Sequence, residues 1–178
     1  MGEYIPYKDL EKVIEDEKLK GHKIVLTGGC FDIIHRGHSY LLRKAKELGD
    51  ILVVNVVNDE RVKEYKGNER PIIPQLERAQ MVSDIEFVDY STIHPDTEKG
   101  PTIELARKIR PHIIVQKSGK WTLEDRRYIK ELLGYDVKLK TIRRSRANTS
   151  TTKIIGKVRE NHIRSPKLYI RELLKMTK

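Results

Sequence analysis

The chain has a single cysteine, Cys30, among 178 residues. It cannot close an intramolecular disulfide, and a cytoplasmic setting is the expectation. Aromatic residues make up only 6%, few for the stacking platforms that hold single-stranded nucleic acid. A basic, non-catalytic nucleotide- or RNA-binding module is therefore the second reading, and nucleic acid is not the expected partner. No apolar run approaches the roughly 20 residues of a spanning helix. No charged-then-apolar leader opens the chain, so no membrane partner is expected. Nor is there a His/Cys/Asp cluster at metal-ligand spacing, so no protein ligand for a metal is expected. Acidic residues are in the minority, 26 against 36 Lys and Arg, for a net charge of +10. Such a surplus suits anionic ligands without choosing among them.

What is present is an alternation of short apolar runs and helical patterns, the signature of an α/β sheet. The length fits one domain. Residues 1–159 form it, with a helical lead-in over 1–21, and 160–178 form a C-terminal helical extension that either covers the sheet or binds a second copy as a homodimer. Strands are expected at 23–26, 50–57, 87–91, 112–116 and 137–142, the last half-exposed as an edge. Helices are expected at 8–19, 38–47, 75–85, 102–109, 122–133 and 153–159. The polar run Arg61 to Arg70 reads as a solvated loop, with a helix start near Glu60 that Asn58 or Asp59 can cap.

The chain is organised around KIVLTGGCFDIIHRGH, residues 23–38. A buried strand ends in Gly28 and Gly29, which let backbone N–H groups approach a ligand. A helix follows, and its positive N-terminal end is open to an anion. His35 and His38, with Gly37 between them, are spaced to face one side of that helix start. Each imidazole keeps an N–H donor whether neutral or charged, so the pair can stabilise charge developing on a phosphate. Cys30 reads as a small residue dictated by the backbone. Downstream, Lys117-Ser118-Gly119-Lys120 leaves the carboxyl end of a strand, where α/β sheets bind ligands. Arg143, Arg144 and Arg146 then precede Thr149-Ser150-Thr151-Thr152 at another helix start, either a cap or a second phosphate grip with arginine forks.

GGCFDIIHRGH resembles the G-x-F-D-x-x-H-x-G-H signature of the cytidylyltransferase-like nucleotidyltransferases. The Ser-Thr-Thr-x-Ile-Ile stretch after an arginine-bearing loop resembles that family's second signature. Residues 7–159 are similar in register to the heptose 1-phosphate adenylyltransferases. Glycerol 3-phosphate cytidylyltransferases share both signatures, and FAD synthetase-like adenylyltransferases are a further alternative. The resemblance implies a Rossmann-like α/β fold, with a parallel sheet of about five strands and helices on both faces. It implies transfer of a nucleotidyl group from a nucleoside triphosphate, ATP favoured and CTP possible, to a small phosphorylated sugar or polyol, with Mg²⁺ accompanying the triphosphate. His35, His38 and Lys46 take the catalytic places. Gly28, Gly29, Cys30, Phe31, Asp32, Gly37, Asn58, Asp59, Arg144, Arg146, Thr149, Ser150 and Thr151 take the nucleotide-binding ones. Lys66, Arg78, Lys117 and Lys120 are left for acceptor or phosphate contacts. Where the heptose subgroup has Lys-Gly-Gly-Asp-Tyr, this chain has Lys117-Ser118-Gly119-Lys120-Trp121, so the expected acceptor preference departs from that subgroup.

Overall fold

The computed structural model describes residues 1–95, 101–117, 119, 121–143 and 149–161. Lys120, Arg144, Arg146 and residues 162–178 of the expected extension lie outside the described residues.

Six parallel strands form one sheet in the order β1-β4-β3-β2-β5-β6. They are β1 (Glu3–Tyr4), β2 (Ile24–Gly29), β3 (Ile51–Val56), β4 (Tyr90–Ile93), β5 (Ile113–Lys117) and β6 (Lys138–Ile142). The helices are α1 (Leu10–Leu19), α2 (Arg36–Lys46), α3 (Asp59–Lys66), α4 (Gln75–Ser83), α5 (Pro101–Ile109) and α6 (Leu123–Leu133), followed by α7 over 151–161. α7 runs past residue 159, where the sequence placed a domain boundary.

Period-two alternation in the strands divides the core between the two faces of the sheet. Val25, Leu52, Val54, Val56, Ile113 and Val115 pack with Leu41, Leu42 and Ala45 of α2 and Ala79 and Val82 of α4. Ile24, Leu26, Val53 and Ile114 pack on the other side with Leu10 and Ile14 of α1, Leu105 and Ile109 of α5, and Ile129 of α6. Each fully buried aliphatic side chain contributes about 1.5–3 kcal/mol of transfer free energy.

Three features depart from the sequence expectation. The sheet has six strands, because Glu3–Tyr4 pairs in register with Tyr90–Ser91. β2 runs on through Thr27, Gly28 and Gly29, since these continue the ladder opposite Val54, Asn55 and Val56. And the polar run after Asn58 is mostly helix α3, with Val62 buried on its inner side and Asn58 as its cap, accepting from Arg61 N–H at 2.8 Å.

The order places a topological switch beside β2. The connection through α2 leads to β3 on one side of it, whereas α5 crosses the opposite face to β5 on the other. The carboxyl ends of β2 and β5 thus frame the crevice where open α/β sheets bind ligands.

Candidate functional site

Gly28 and Gly29 lie at the carboxyl end of β2. A Cβ on Gly28 would sit 2.1 Å from Thr102 Oγ1, so glycine lets the start of α5 close on the strand. Phe31 then adopts φ 48°, a left-handed conformation unusual for an aromatic residue. The turn buries its ring against the His38 imidazole, 5.1 Å between centroids.

His35 caps α2. Its Nδ1 accepts from Gly37 N–H at 3.0 Å, so in the neutral ring the proton resides on Nε2. The His35 and His38 rings stack at 3.9 Å and 19°. Burial, followed by the charge of Lys117, pushes His35 below its ordinary value. Burial, then His35 and Lys117, pushes His38 down to about 3. Both rings are therefore neutral near pH 7 in the ligand-free site. A Cβ on Gly37 would approach the His35 ring to 2.9 Å and Lys117 Nζ to 3.7 Å. The Arg-Gly-His spacing thus gives His35 and the β5 lysine room on the same helix turn.

The opposite wall is the start of α7. Thr151 Oγ1 donates to the carbonyl of Ile33 at 3.2 Å, and Ser150 Oγ accepts from Lys153 N–H at 3.3 Å. A cavity of about 240 Å³ between these walls brings together Gly28, Gly29, Cys30, Phe31, Asp32, His35, His38, Lys66, Lys117, Ser150 and Thr151. Gly37 lies directly behind His35. Thr149, just ahead of this wall, is exposed. Cys30 is partly buried, and burial pushes its thiol up, against activation as a nucleophile.

Several expected site residues are placed otherwise. Lys46 lies at the far end of α2, where Nζ donates to both Asp89 carboxylate oxygens at 2.8 and 2.6 Å, and to the Asp50 carbonyl. That is the amino edge of the sheet, a helix length from the histidines, so the catalytic assignment of Lys46 is corrected. Arg78 is fully buried. It donates to the carbonyls of Ile73, Cys30 and Val57 and to Asp59 Oδ1. All three of its nitrogens are occupied by protein, so Arg78 is a structural tie and not a phosphate contact. Asp59 accepts from Arg78 at 2.7 Å and from Gln75 N–H at 3.2 Å, which joins the starts of α3 and α4. Asn58 caps α3 and donates to the carbonyls of His94 and Pro95. Neither Asn58 nor Asp59 lines the cavity. Asp32 does, yet it is fully buried and accepts from Arg70 Nε at 2.5 Å and from the N–H groups of Ile72 and Ile73 at 2.8 and 3.0 Å.

The sequence reading left out three cavity residues, Leu41, Arg70 and Thr152, the first because it was read only as part of the apolar stripe of α2. Arg70 stands 38 positions from the carboxylate that holds it, a distance no local pattern reports. Thr152 was visible only as the fourth hydroxyl of the Thr-Ser-Thr-Thr run.

An α/β nucleotide-binding fold with a phosphate-type helix start at its switch point defines the class of this protein. The chain belongs to the Cytidylyltransferase-like family, whose model matches residues 26–169. It is 41% identical over 131 residues to the bifunctional protein HldE of Nitratiruptor sp., covering 74% of this chain and 26% of that protein. It is 36% identical over 154 residues to the HldE of Helicobacter pylori strain HPAG1, covering 86% of this chain and 31% of that one. The chain thus spans under a third of the length of these curated relatives. Among solved structures, a lipopolysaccharide core biosynthesis protein from Thermoplasma volcanium superposes with a TM-score of 0.59 at 28% identity, covering 70% of this chain and 99% of that one. A pantoate-beta-alanine ligase from Francisella tularensis shares the fold alone, with a TM-score of 0.60 at 13% identity over 83% of this chain and 69% of that one.

Proposed function

We propose that this chain is a nucleotidyltransferase. It moves a nucleotidyl group from a nucleoside triphosphate, ATP in preference to CTP, to a phosphorylated sugar or polyol. The observation that carries this reading is the stacked, neutral His35–His38 pair at the N-terminus of α2, beside the β2/β5 switch point.

An acceptor phosphate oxygen attacks the α-phosphorus, a new P–O bond forms, and the bond from the α-phosphorus to the bridging oxygen breaks with release of pyrophosphate. The acceptor phosphate is already anionic near pH 7, so no strong base is required. Catalysis is positioning and charge stabilisation. His35 offers its Nε2–H, His38 a second imidazole, and Lys117 a positive charge on the same side of the cavity. The Ser150–Thr151 helix start receives the remaining phosphates.

Mg²⁺ is expected to arrive with the triphosphate. No group of three or more His, Cys, Asp or Glu among the described residues could hold a metal ion, and the Asp32 carboxylate is already taken by Arg70. No helix among the described residues is long and apolar enough to cross a membrane.

The test is pyrophosphate release by the purified chain, with four nucleoside triphosphates crossed against sugar 1-phosphates and polyol phosphates. Release that needs both a triphosphate and a phosphorylated acceptor supports the reading. Release with none of them overturns it.

A further inference from the structure

The histidine cavity is joined at the carboxyl edge by a second cavity, of about 330 Å³, between the loop after α3 and the helix α7. One flank of the histidine cavity is set by β5 and its neighbour β6, the edge strand of the sheet. The register puts Lys138 opposite Ile113, Lys140 opposite Val115 and Ile142 opposite Lys117. Ile113 and Val115 pack on the α2 side, and paired residues of neighbouring strands share a face. Lys138 and Lys140 therefore stand on the α2 face, whereas Leu139 between them is buried on the other. Both lysines are exposed, and neither has a carboxylate partner among the described residues. Three carboxylates on flanking elements are taken elsewhere. Glu47 of α2 pairs with Lys44 at 2.7 Å, Asp136 with Lys130 at 2.8 Å, and Asp125 caps its own helix. Exposed Arg36 and Arg43 of α2 add to the positive charge of this face. Lysine on an edge strand also discourages pairing with another sheet. That role is served on either face, yet both β6 lysines lie on the side of the histidines. At about 3.3 Å per residue and about 4.8 Å between strands, the backbone of Lys140 is roughly 8 Å from that of Lys117, and that of Lys138 roughly 14 Å. Both spacings fall inside the screening length of dilute salt, about 30 Å at about 0.01 M.

We propose that Lys138 and Lys140 form a steering rail, which draws the anionic triphosphate along the α2 face to the mouth of the histidine cavity. This deepens the nucleotidyltransferase reading and rests on it. Unpaired charge of one sign beside a cleft raises the local concentration of a counter-ion and the rate at which it arrives. The lysines stand outside the cavity and touch no atom of the bound ligand. Their effect therefore falls on the association rate, fades with salt, and leaves dissociation alone.

The experiment compares the full chain with three double variants, Lys138→Glu/Lys140→Glu, Lys138→Gln/Lys140→Gln and Lys8→Glu/Lys12→Glu. Glutamate keeps the edge charged against pairing, so the first variant changes only the sign of the field. The third is a control of equal net charge, since Lys8 and Lys12 are exposed around the start of α1, on the opposite face of the sheet. Thermal denaturation checks folding. Stopped flow with anthraniloyl-labelled ATP gives the association and dissociation rates between about 0.01 M and about 0.5 M salt. At the lowest salt the glutamate pair should associate roughly tenfold more slowly than the wild type, and the glutamine pair about threefold. At the highest salt all four proteins should agree within about twofold. Dissociation rates, and kcat at saturating substrate, should stay within about twofold throughout. Equal association rates at low salt overturn the proposal. So does an equal fall in the control pair, which would trace the effect to net charge alone. A fall that persists at high salt, or one matched by faster dissociation, also overturns it, because either would put the lysines against the bound ligand. If the glutamate pair fails to fold, the glutamine pair decides. Pyrophosphate release by the wild type judges the functional reading separately. Turnover with unsteered association removes the rail and keeps that reading; steered association without turnover removes the reading and keeps the rail. Labelled ATP that does not bind the wild type removes both.

Discussion

The two edges of the sheet use their charged side chains in opposite ways. At the amino edge, cations and anions are matched. Glu17 is nearly buried and accepts from Lys20 at 2.9 Å and from Tyr90 at 3.1 Å, and pairs with His22 at 2.5 Å. These partners hold its carboxyl down to about 2. Lys46 closes on Asp89, and His112 Nδ1 accepts from Ile24 N–H. At the carboxyl edge the cavities are lined by Lys66, Arg70, Lys117 and Arg159 against the carboxylates of Asp32 and Glu69, the latter paired with Arg159. Lys66 has no ion pair among the described residues, and Asp32 is spent on one edge of Arg70. Two imidazoles are held neutral by burial. The same residue types are matched in pairs at the amino edge and only partly matched where they line the cavities.

The comparison is open to test, beginning with the largest expected effect. Arg78 lies near the carboxyl edge but is wholly tied to protein, so it should behave as an amino-edge residue does. Arg78→Leu strands Asp59 and three carbonyls, and is expected to cost about 3–5 kcal/mol of stability by analogy with broken buried pairs. Urea denaturation measures this. A variant of native stability with weakened phosphate binding would return Arg78 to the site.

Next is His38→Ala. Removing one preorganised donor typically costs about 10²–10³ in rate, and the thermal midpoint should move far less than the rate does. Near wild-type turnover from the folded variant would show that the stacked pair is not catalytic.

Acidification separates His38 from Glu17 by pH window. The His38 pKa is about 3 folded against 6.5 in the unfolded chain, so the unfolded state binds more protons between those values. Stability is complete above pH 6.5 and falls as pH drops towards 3. Glu17, about 2 against 4.5, contributes fully above pH 4.5 and loses its contribution towards pH 2. Denaturation curves at stepped pH should therefore show stability falling first in the histidine window, to which His35 and His112, also lowered by burial, add. His38→Asn should flatten the upper window and Glu17→Gln the lower. A wild-type curve that is flat from pH 6.5 to 4.5 would contradict the neutral, buried histidine.

The smallest effect belongs to Lys46. Its side chain and that of Asp89 are 31% and 28% exposed, so solvent screens the pair. Lys46→Ala should cost about 0.2–1 kcal/mol and leave turnover unchanged. A hundredfold loss of turnover would place Lys46 in the chemistry after all.

Much of this was legible in the sequence, and the omissions have physical causes. The apolar runs of β2, β3 and β5 read correctly as buried parallel strands because both faces are covered. The His35–His38 spacing foretold a shared helix turn, because that geometry is local. The sequence did not disclose that His35 would spend Nδ1 on the helix start and keep Nε2–H as a donor, since cap and donor use different nitrogens of one ring. Only the start of α3, near Glu60, was legible; its length was not, because Val62 and little else on it is apolar. Arg61 is instead buried by lying over the Tyr65 ring at 4.1 Å and pairing with Glu64. Asp32–Arg70 and Arg78–Asp59 bridge 38 and 19 positions. Such ties follow from the course of the chain through space, which leaves no spacing rule to read. Lys46 misled for the opposite reason: a lysine on the motif helix shares its sequence neighbourhood with the histidines, yet a rise of 1.5 Å per residue carries it to the other edge.

The hydrogen bond from Thr151 to the Ile33 carbonyl joins residues 118 positions apart, and this sets an order of assembly. On a ribosome the chain emerges from its N-terminus. All six strands have been made by Ile142, when the histidine turn is still bare on one side. The wall that completes the cavity is synthesised only afterwards. Until the α7 start docks, the cavity lacks its Ser150–Thr151 wall. Forming the sheet and closing the cavity thus rest on different parts of the chain, the second on a contact between segments 118 positions apart.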